Sequence, residues 1–349
     1  MRIDKSAQEA TTGNGPANTM KHIAKTASPA IADSSPVGMP IPKDSKETAD
    51  INFDGHKLTF THLNKFFWPY EGITKRDMVN FYFRIADFIL PYLKDRPMSL
   101  NRFPEGIMGP HFYQKDVTGK APEWARMLTH DTIGGKRLQY FVGSDMESLL
   151  WMAGQGCVEM NPWFSRINSQ DRPDYCVIDL DPDDRNTLDQ VMQVAQTIKK
   201  VLDALDVPSF PKMSGSTGIH IFVPLGAKYF FDQSQMFARI IAKQVQKELP
   251  DITTLERVTS SRHGKIYLDF LQNREEATIV APYSLRPKPG ATVSMPVHWD
   301  ELKPGLKMRD FTILNSIDRL KETGDLFKGV LGHGINLGVV IKKAQRTFG

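Results

Sequence analysis

Four aspartates fall within six positions at the end of YCVIDLDPDD, the stretch from Tyr175 to Asp184. Carboxylates that close repel one another and call for a counter-charge. In an extended strand, residues two apart share a face. Asp179 and Asp181 therefore project together with Val177 beneath them, while Ile178 and Leu180 point to a core. Such a pair suits Mg²⁺ or Mn²⁺, hard cations that take oxygen ligands and leave positions open for phosphate. A calcium loop of the EF-hand type starting at Asp179 is excluded: it needs Gly at its sixth position and Glu at its twelfth, where this chain has Asp184 and Gln190. Asp183 and Asp184 precede a helix, whose N-terminal dipole stabilises acids, and read as a solvated helix start. A third acid, Asp269, stands inside the apolar stretch KIYLDFL, with Lys265 and Tyr267 on its side. An aspartate there is costly unless paired or metal-bound, and beside the other two it reads as a third metal ligand. The Asp-x-Asp spacing alone is shared by sugar transferases, nucleases and polymerases.

A second group of residues suits an anion. SGSTGIHIF, from Ser214 to Phe222, crowds glycines and hydroxyls into a tight turn ahead of a strand. Backbone N–H groups in such a turn form an anion-binding nest, to which hydroxyls add donors. Ser214, Gly215, Ser216 and Thr217 are thus candidates for holding phosphate. His220 and Phe222 face away from the apolar row Ile219, Ile221 and Val223, which sets the histidine just past the cradle. The turn is not a Walker loop, because the Gly-Lys-Ser/Thr ending is missing. Downstream, APYSLRPKPG places Arg286 after an expected strand, where a guanidinium can grip a triphosphate bidentately.

Elements that must position these groups follow from periodicity and caps. HKLTFTHL, from His56, suggests a strand, and RPMSLNRF, from Arg96, a strand with basic side chains. Between them, Thr74 with Asp77 three residues on signals a helix start. Met78, Tyr82, Ile85, Ile89 and Leu93 then give it one buried face. Residues 104–145 are rich in Gly, Pro and short elements, where functional loops are expected. Thr187 to Leu205 is an amphipathic helix, FPKMSGSTGIHIFVPL reads as strand, turn, strand, and a further helix runs from Ser234 to Leu249. KIYLDFL and TIVAPYSL both read as strands. Several strand pairs are joined by short turns, which predicts a mixed α/β (α+β) sheet and not a doubly wound parallel one.

The whole chain sets bounds. Its 349 residues, 40% hydrophobic and 10% aromatic, suffice for a sizeable core. Residues 1–50 contain no Phe, Trp or Tyr and balance six basic against six acidic residues, so a disordered extension is expected there. A folded domain is expected over 51–330 and a C-terminal tail over 331–349. Cys157 and Cys176, the only cysteines, exclude a disulfide framework and a multi-cysteine zinc site. Apolar runs such as IHIFVPL fall short of the roughly 20 residues a membrane span needs, and no secretory signal is visible. These features predict a reduced, cytoplasmic protein with no membrane partner. A net charge of +4 permits a nucleic-acid partner without requiring one.

Taken in order, DLDP, SGSTGIH, GKIYLDFLQN and TIVAPYSLR resemble the polymerase domain of bacterial ligase D, from the archaeo-eukaryotic primase superfamily. The resemblance extends over roughly residues 53–328 and includes FTHLNKFFWPYEGITKRDMVNFY, RPMSLNRFPEG, HFYQK and DFTILNSIDRLKETGDLF. It implies a primase-like fold, with mixed and antiparallel central sheets flanked by helices and an RRM-like catalytic half. Asp179, Asp181 and Asp269 would hold two Mn²⁺ or Mg²⁺ ions for nucleotidyl transfer. Ser214, His220 and Arg286 would hold the incoming nucleotide's phosphates. Lys65 and Lys75 match a basic pair that grips a 5′-phosphate on a downstream strand, Phe112 and Tyr113 match an aromatic pair that stacks on template bases, and Arg102 lies in the matching basic strand. The sequence departs from the family at Thr217, where lysine is usual, and at Asn161, where histidine is usual and supports the site. No Lys-x-Asp-Gly ligase motif is present; NFDG, from Asn52, has asparagine in the lysine's place. The resemblance implies a free-standing bacterial, nucleoid-associated primase-polymerase that acts on DNA ends and gapped duplexes with nucleoside triphosphates. It prefers ribonucleotides and works with Ku and a separate ATP-dependent DNA ligase. Two other readings compete: a DNA-end bridging module that keeps the end contacts without catalysis, and a metal-dependent nucleotide-sugar transferase, which has no use for Lys65, Lys75 or the aromatic pair.

Overall fold

The structure, a computed structural model, describes residues 41–43, 46–53 and 55–349. Most of the extension expected over 1–50 lies outside the described residues. The domain boundary expected at 51 falls too late: Ile41 is fully buried, and its backbone exchanges hydrogen bonds with the Asn80 amide. Those polar anchors hold a segment that has no aromatic residue to announce it.

Two hairpins lead in, β1 (Ala49–Phe53) with β2 (His56–Phe60) and β3 (Phe66–Trp68) with β4 (Ile73–Thr74). Thr74 then caps α1 (Lys75–Arg84) through the expected box with Asp77. The predicted single helix is in fact two, because Ile85 leaves the helical conformation and α2 (Ala86–Leu93) restarts after it. The first large sheet follows. β5 (Arg96–Arg102) pairs with β6 (Phe112–Gln114), β8 (Arg137–Gly143) and β9 (Cys157–Pro162), and β7 (Met127–Asp131) forms a hairpin with β8. Helix α3 (Met146–Gly154) packs against α1. A short hairpin, β10 (Ser165–Arg166) and β11 (Ser169–Pro173), connects to the second sheet.

In that sheet β12 (Tyr175–Asp181) lies at the centre. Helix α4 (Leu188–Ala204), within the expected span and capped by Thr187, leads to β13 (Phe210–Met213) and β14 (Ile219–Pro224). Helix α5 (Phe231–Glu248) leads to β15 (Thr253–Thr254) and β16 (Ile266–Asp269). The strand order is β13-β14-β12-β16-β15, antiparallel except for the last pair. Alternation along β12 sends Cys176, Ile178 and Leu180 into the core beneath α4 and α5, where the Cys176 thiol reaches the Ser234 carbonyl. On the opposite face Tyr175, Phe222 and Phe327 close one end with ring centroids 4.9 Å apart, leaving the other end to polar groups.

TIVAPYSL is not a strand: Thr278 and Leu285 make only isolated bridges, to Trp163 and Val293. Pro282 has no N–H for a ladder, and Tyr283 stands at φ +68°, which turns the chain. Helix α6 (Ser316–Thr323) precedes α7 (Leu337–Phe348), which buries Leu337, Val340 and Ala344. The expected C-terminal tail is therefore largely a docked helix. No helix among the described residues is long and apolar enough to cross a membrane.

Candidate active site

Strand register assembles the site. Asp179 stands directly opposite His220 on one side and Asp269 on the other, and His220 stands opposite Lys212. Four polar side chains thus cross the sheet in one row, Lys212, His220, Asp179 and Asp269. Asp181 lies one step nearer the open end and faces Tyr267 across the strands. The Tyr267 hydroxyl and the Gln272 N–H both donate to Asp269 Oδ1, each at 3.1 Å. His220 Nε2 lies 3.4 Å from Asp179 Oδ1, and the Lys212 ammonium lies 2.8 Å from His220 Nδ1. Asp181 is held by Arg262 at 2.7 Å.

Electrostatics explain why such a row needs a ligand. Burial, followed by the charges of Asp269 and Asp181, pushes the Asp179 carboxyl up to about 7. Burial also raises Asp269. Burial and the neighbouring Arg286 charge hold Lys212 well below its ordinary range, and burial with the Lys212 charge does the same to His220. Every member of the row is driven toward its neutral form until something brings counter-charge. The three carboxylates fit a divalent cation in donor type and in register. In this arrangement, with Asp181 turned to Arg262, no three His, Cys, Asp or Glu side chains among the described residues are gathered closely enough to hold a metal ion.

The serine-glycine turn sits against the row. Ser214 is buried, and its hydroxyl accepts the N–H groups of Ser216 and Gly218, both at 3.1 Å. It therefore shapes the cradle from within, and Thr217 is the exposed residue of the turn. Gly215 takes φ +72°, and a side chain there would meet the Val293 carbonyl at 2.8 Å. Arg286 donates to the Ser214 carbonyl at 2.6 Å and pairs with Glu159 at 2.7 Å, which fixes its guanidinium beside the turn. Asn161 is buried on β9 and donates to Glu159 at 3.1 Å. Asn161 thus reaches the site through Glu159 and Arg286.

Of the remaining expected residues, Arg102, Phe112 and Tyr113 lie on the first large sheet, Lys65 just before β3 and Lys75 at the start of α1. Arg102 and Phe112 are register partners on β5 and β6, with the guanidinium 5.4 Å from the ring centroid. Phe112 is 47% exposed and Tyr113 56%. The Lys65 backbone carbonyl accepts the Lys75 N–H at 2.9 Å, which sets the two lysines side by side. Lys65 pairs with Glu105 at 2.9 Å, whereas Lys75 is buried and donates only to the Thr61 carbonyl among its described contacts. Burial, then the charges of Lys65 and Arg102, lower the Lys75 ammonium to about 8. Lys75, which has no acid partner among the described residues and lies near the charges of Lys65 and Arg102, suits a phosphate.

Three residues of the site escape the sequence reading. Lys212 and Glu159 carry a signal, a lone charge on a strand of otherwise apolar alternation, Lys212 two residues before the serine turn. Arg262 lies in an irregular segment and carries none.

The match to known proteins covers the same region. Residues 74–327 match the family described as LigD, primase-polymerase domain. The chain is 35% identical over 269 residues to the bifunctional non-homologous end joining protein LigD of Bacillus subtilis, covering 77% of this chain and 43% of that protein. It is 31% identical over 274 residues to the multifunctional non-homologous end joining protein LigD of Mycolicibacterium smegmatis, covering 77% and 35%. The chain thus spans less than half the length of these curated relatives. Among solved structures, the polymerase domain from Mycobacterium tuberculosis ligase D in complex with DNA aligns with TM-score 0.74 and 27% identity, over 80% of this chain and 99% of that one.

Proposed function

Because the chain belongs to the LigD primase-polymerase family, we propose that it is a template-dependent nucleotidyltransferase that fills gaps and extends ends when broken DNA is rejoined. The observation that supports this best is the register of Asp179 against Asp269 with Asp181 on the same face. Two strands distant in sequence thereby place three carboxylates on one face of the sheet. Asp179, Asp181 and Asp269 would hold Mn²⁺ or Mg²⁺ ions, which supply Lewis acidity at the primer 3′-hydroxyl and at the leaving pyrophosphate. Arg286, fixed by Glu159, presents positive charge to the triphosphate beside the Ser214–Gly218 turn. Phe112 and Tyr113 give template bases a stacking surface that tolerates any sequence. Lys65, Lys75 and Arg102 receive the 5′-phosphate of the downstream strand. Ribonucleotides are the preferred substrates, and Ku and a separate ATP-dependent DNA ligase are the partners at the bacterial nucleoid.

The test is extension of a primer across a gapped duplex bearing a 5′-phosphate, with Mn²⁺ and each nucleotide type in turn. Templated addition is expected, greatest with ribonucleotides. Binding of the same DNA with no addition under any metal or nucleotide would overturn the enzymatic reading in favour of end bridging alone.

The Lys75 ammonium gives a pH-dependent prediction. Its range near 8 means that the charge is present at pH 7 and lost as pH rises through about 8. A terminal phosphate keeps its negative charge over that interval. Preference for 5′-phosphorylated over 5′-hydroxyl ends, read by fluorescence anisotropy, is expected to fall several-fold between pH 7 and pH 9. In Lys75→Gln the preference should already be low and flat. A wild-type preference unchanged to pH 9 would remove Lys75 from this role.

A further inference from the structure

Lys212 is fully buried on β13, and among the described residues no carboxylate lies within ion-pairing distance of it. Its ammonium instead meets His220 Nδ1 at 2.8 Å and the Ser294 hydroxyl at 2.7 Å. A buried lysine without an acid partner is costly, so a structural element placed only for stability would have an apolar residue here. Ionised Asp179 and Glu159 favour the Lys212 ammonium against the pull of burial and the Arg286 charge, and an ammonium has donors and no acceptor. Facing Nδ1, it obliges that nitrogen to accept and places the ring proton on Nε2, the nitrogen 3.4 Å from Asp179 Oδ1. Backbone register sets Lys212 opposite His220 and His220 opposite Asp179, so the three are neighbours along the row.

We propose that Lys212 is a positioning residue: it fixes His220 as the Nε2–H tautomer, so that the histidine donates to Asp179 Oδ1 and holds that carboxylate toward the divalent cation shared with Asp269. This inference rests on the proposed metal-dependent function. It departs from the sequence expectation by turning His220 away from the triphosphate and onto the metal-binding carboxylate. Groups that orient a metal-binding carboxylate in this way are worth about 10–100-fold in metal affinity.

Three measurements on the full chain test it. Long-range ¹H–¹⁵N NMR of the imidazole nitrogens should show His220 as the Nε2–H tautomer in the unsubstituted protein. Lys212→Met fills the space without a donor, and should mix the tautomers and weaken Mn²⁺ binding, read by the loss of the free-ion EPR signal, by about 10–100-fold. Lys212→Gln can still donate to Nδ1, and should keep both the tautomer and the affinity within about threefold; a purely charge-based role would make it behave like Lys212→Met. An Nδ1–H tautomer in the unsubstituted protein overturns the proposal even if Lys212→Met fails to fold. Unchanged Mn²⁺ affinity in Lys212→Met, beside normal binding by the unsubstituted protein, overturns this proposal alone. Absence of Mn²⁺ binding by the unsubstituted protein overturns the functional reading and this one with it.

Discussion

An Asp179→Asn protein is expected to lose primer extension by about 10³-fold or more while becoming no less stable at pH 8. The activity loss follows from removing a charged oxygen ligand from a centre whose Lewis acidity contributes several kcal/mol, at about 1.4 kcal/mol per tenfold in rate. The stability result follows from the sign of the Asp179 shift. Its folded-state range, near 7, lies above the ordinary 3.8, so the folded protein holds this proton more tightly than the unfolded chain does. Between those two values, stability falls as pH rises. Above about 7 the ionised carboxylate is a standing cost in the metal-free protein, and the neutral amide does not have it. Thermal unfolding without metal should therefore place Asp179→Asn at or above wild type at pH 8, with that advantage shrinking toward pH 4–5. Mn²⁺ should raise the wild-type midpoint at pH 8 and leave the variant's unchanged. A variant that is inactive and also less stable at pH 8 would make Asp179 a structural acid.

The shared face of Asp179 and Asp181 was legible in the sequence because strand alternation is a strict rule. Once YCVIDLD and KIYLDFL are strands, Asp179 and Asp181 must share a face, and Asp269 must be paired or liganded. Their adjacency was not legible, since no local pattern states that β16 lies beside β12 or that Asp179 meets Asp269 in register. Pairing partners distant in sequence are chosen by the whole sheet. The same limit hid Lys212, whose meaning depends on standing across from His220. TIVAPYSL misled for a different reason: its apolar residues resemble a strand, but Pro282 and the positive φ of Tyr283 end regular pairing. Burial without a ladder satisfies the hydrophobic pattern equally well. Ile41 shows the converse, a residue anchored by one asparagine in a segment whose composition reads as unstructured.

The SGSTG turn is the second place where one atom should matter greatly. A Cβ on Gly218 would lie 2.1 Å from the Leu180 carbonyl oxygen, on the strand between Asp179 and Asp181. Leu180 is the register partner of Ile219 on β14 and of Leu268 on β16, so that carbonyl is fixed by ladders on both sides and cannot withdraw. Nor can the turn tilt freely, because the Gly218 N–H donates to Ser214 Oγ at 3.1 Å and the Gly218 carbonyl accepts the Ser214 N–H at 3.0 Å. Gly218→Ala must therefore open the cradle or displace the aspartate strand. We expect destabilisation of about 1–3 kcal/mol from overpacking, and a loss of nucleotide affinity of at least about 10-fold, because the Ser214 carbonyl that orients Arg286 moves with the turn. Thr217→Ala is the control: that side chain is exposed in the same turn and should change stability by no more than about 0.5 kcal/mol. Denaturant unfolding and nucleotide titration of the two variants separate the cases. If Gly218→Ala unfolds and binds nucleotide like wild type, the turn is not held against the aspartate strand, and the phosphates are gripped elsewhere.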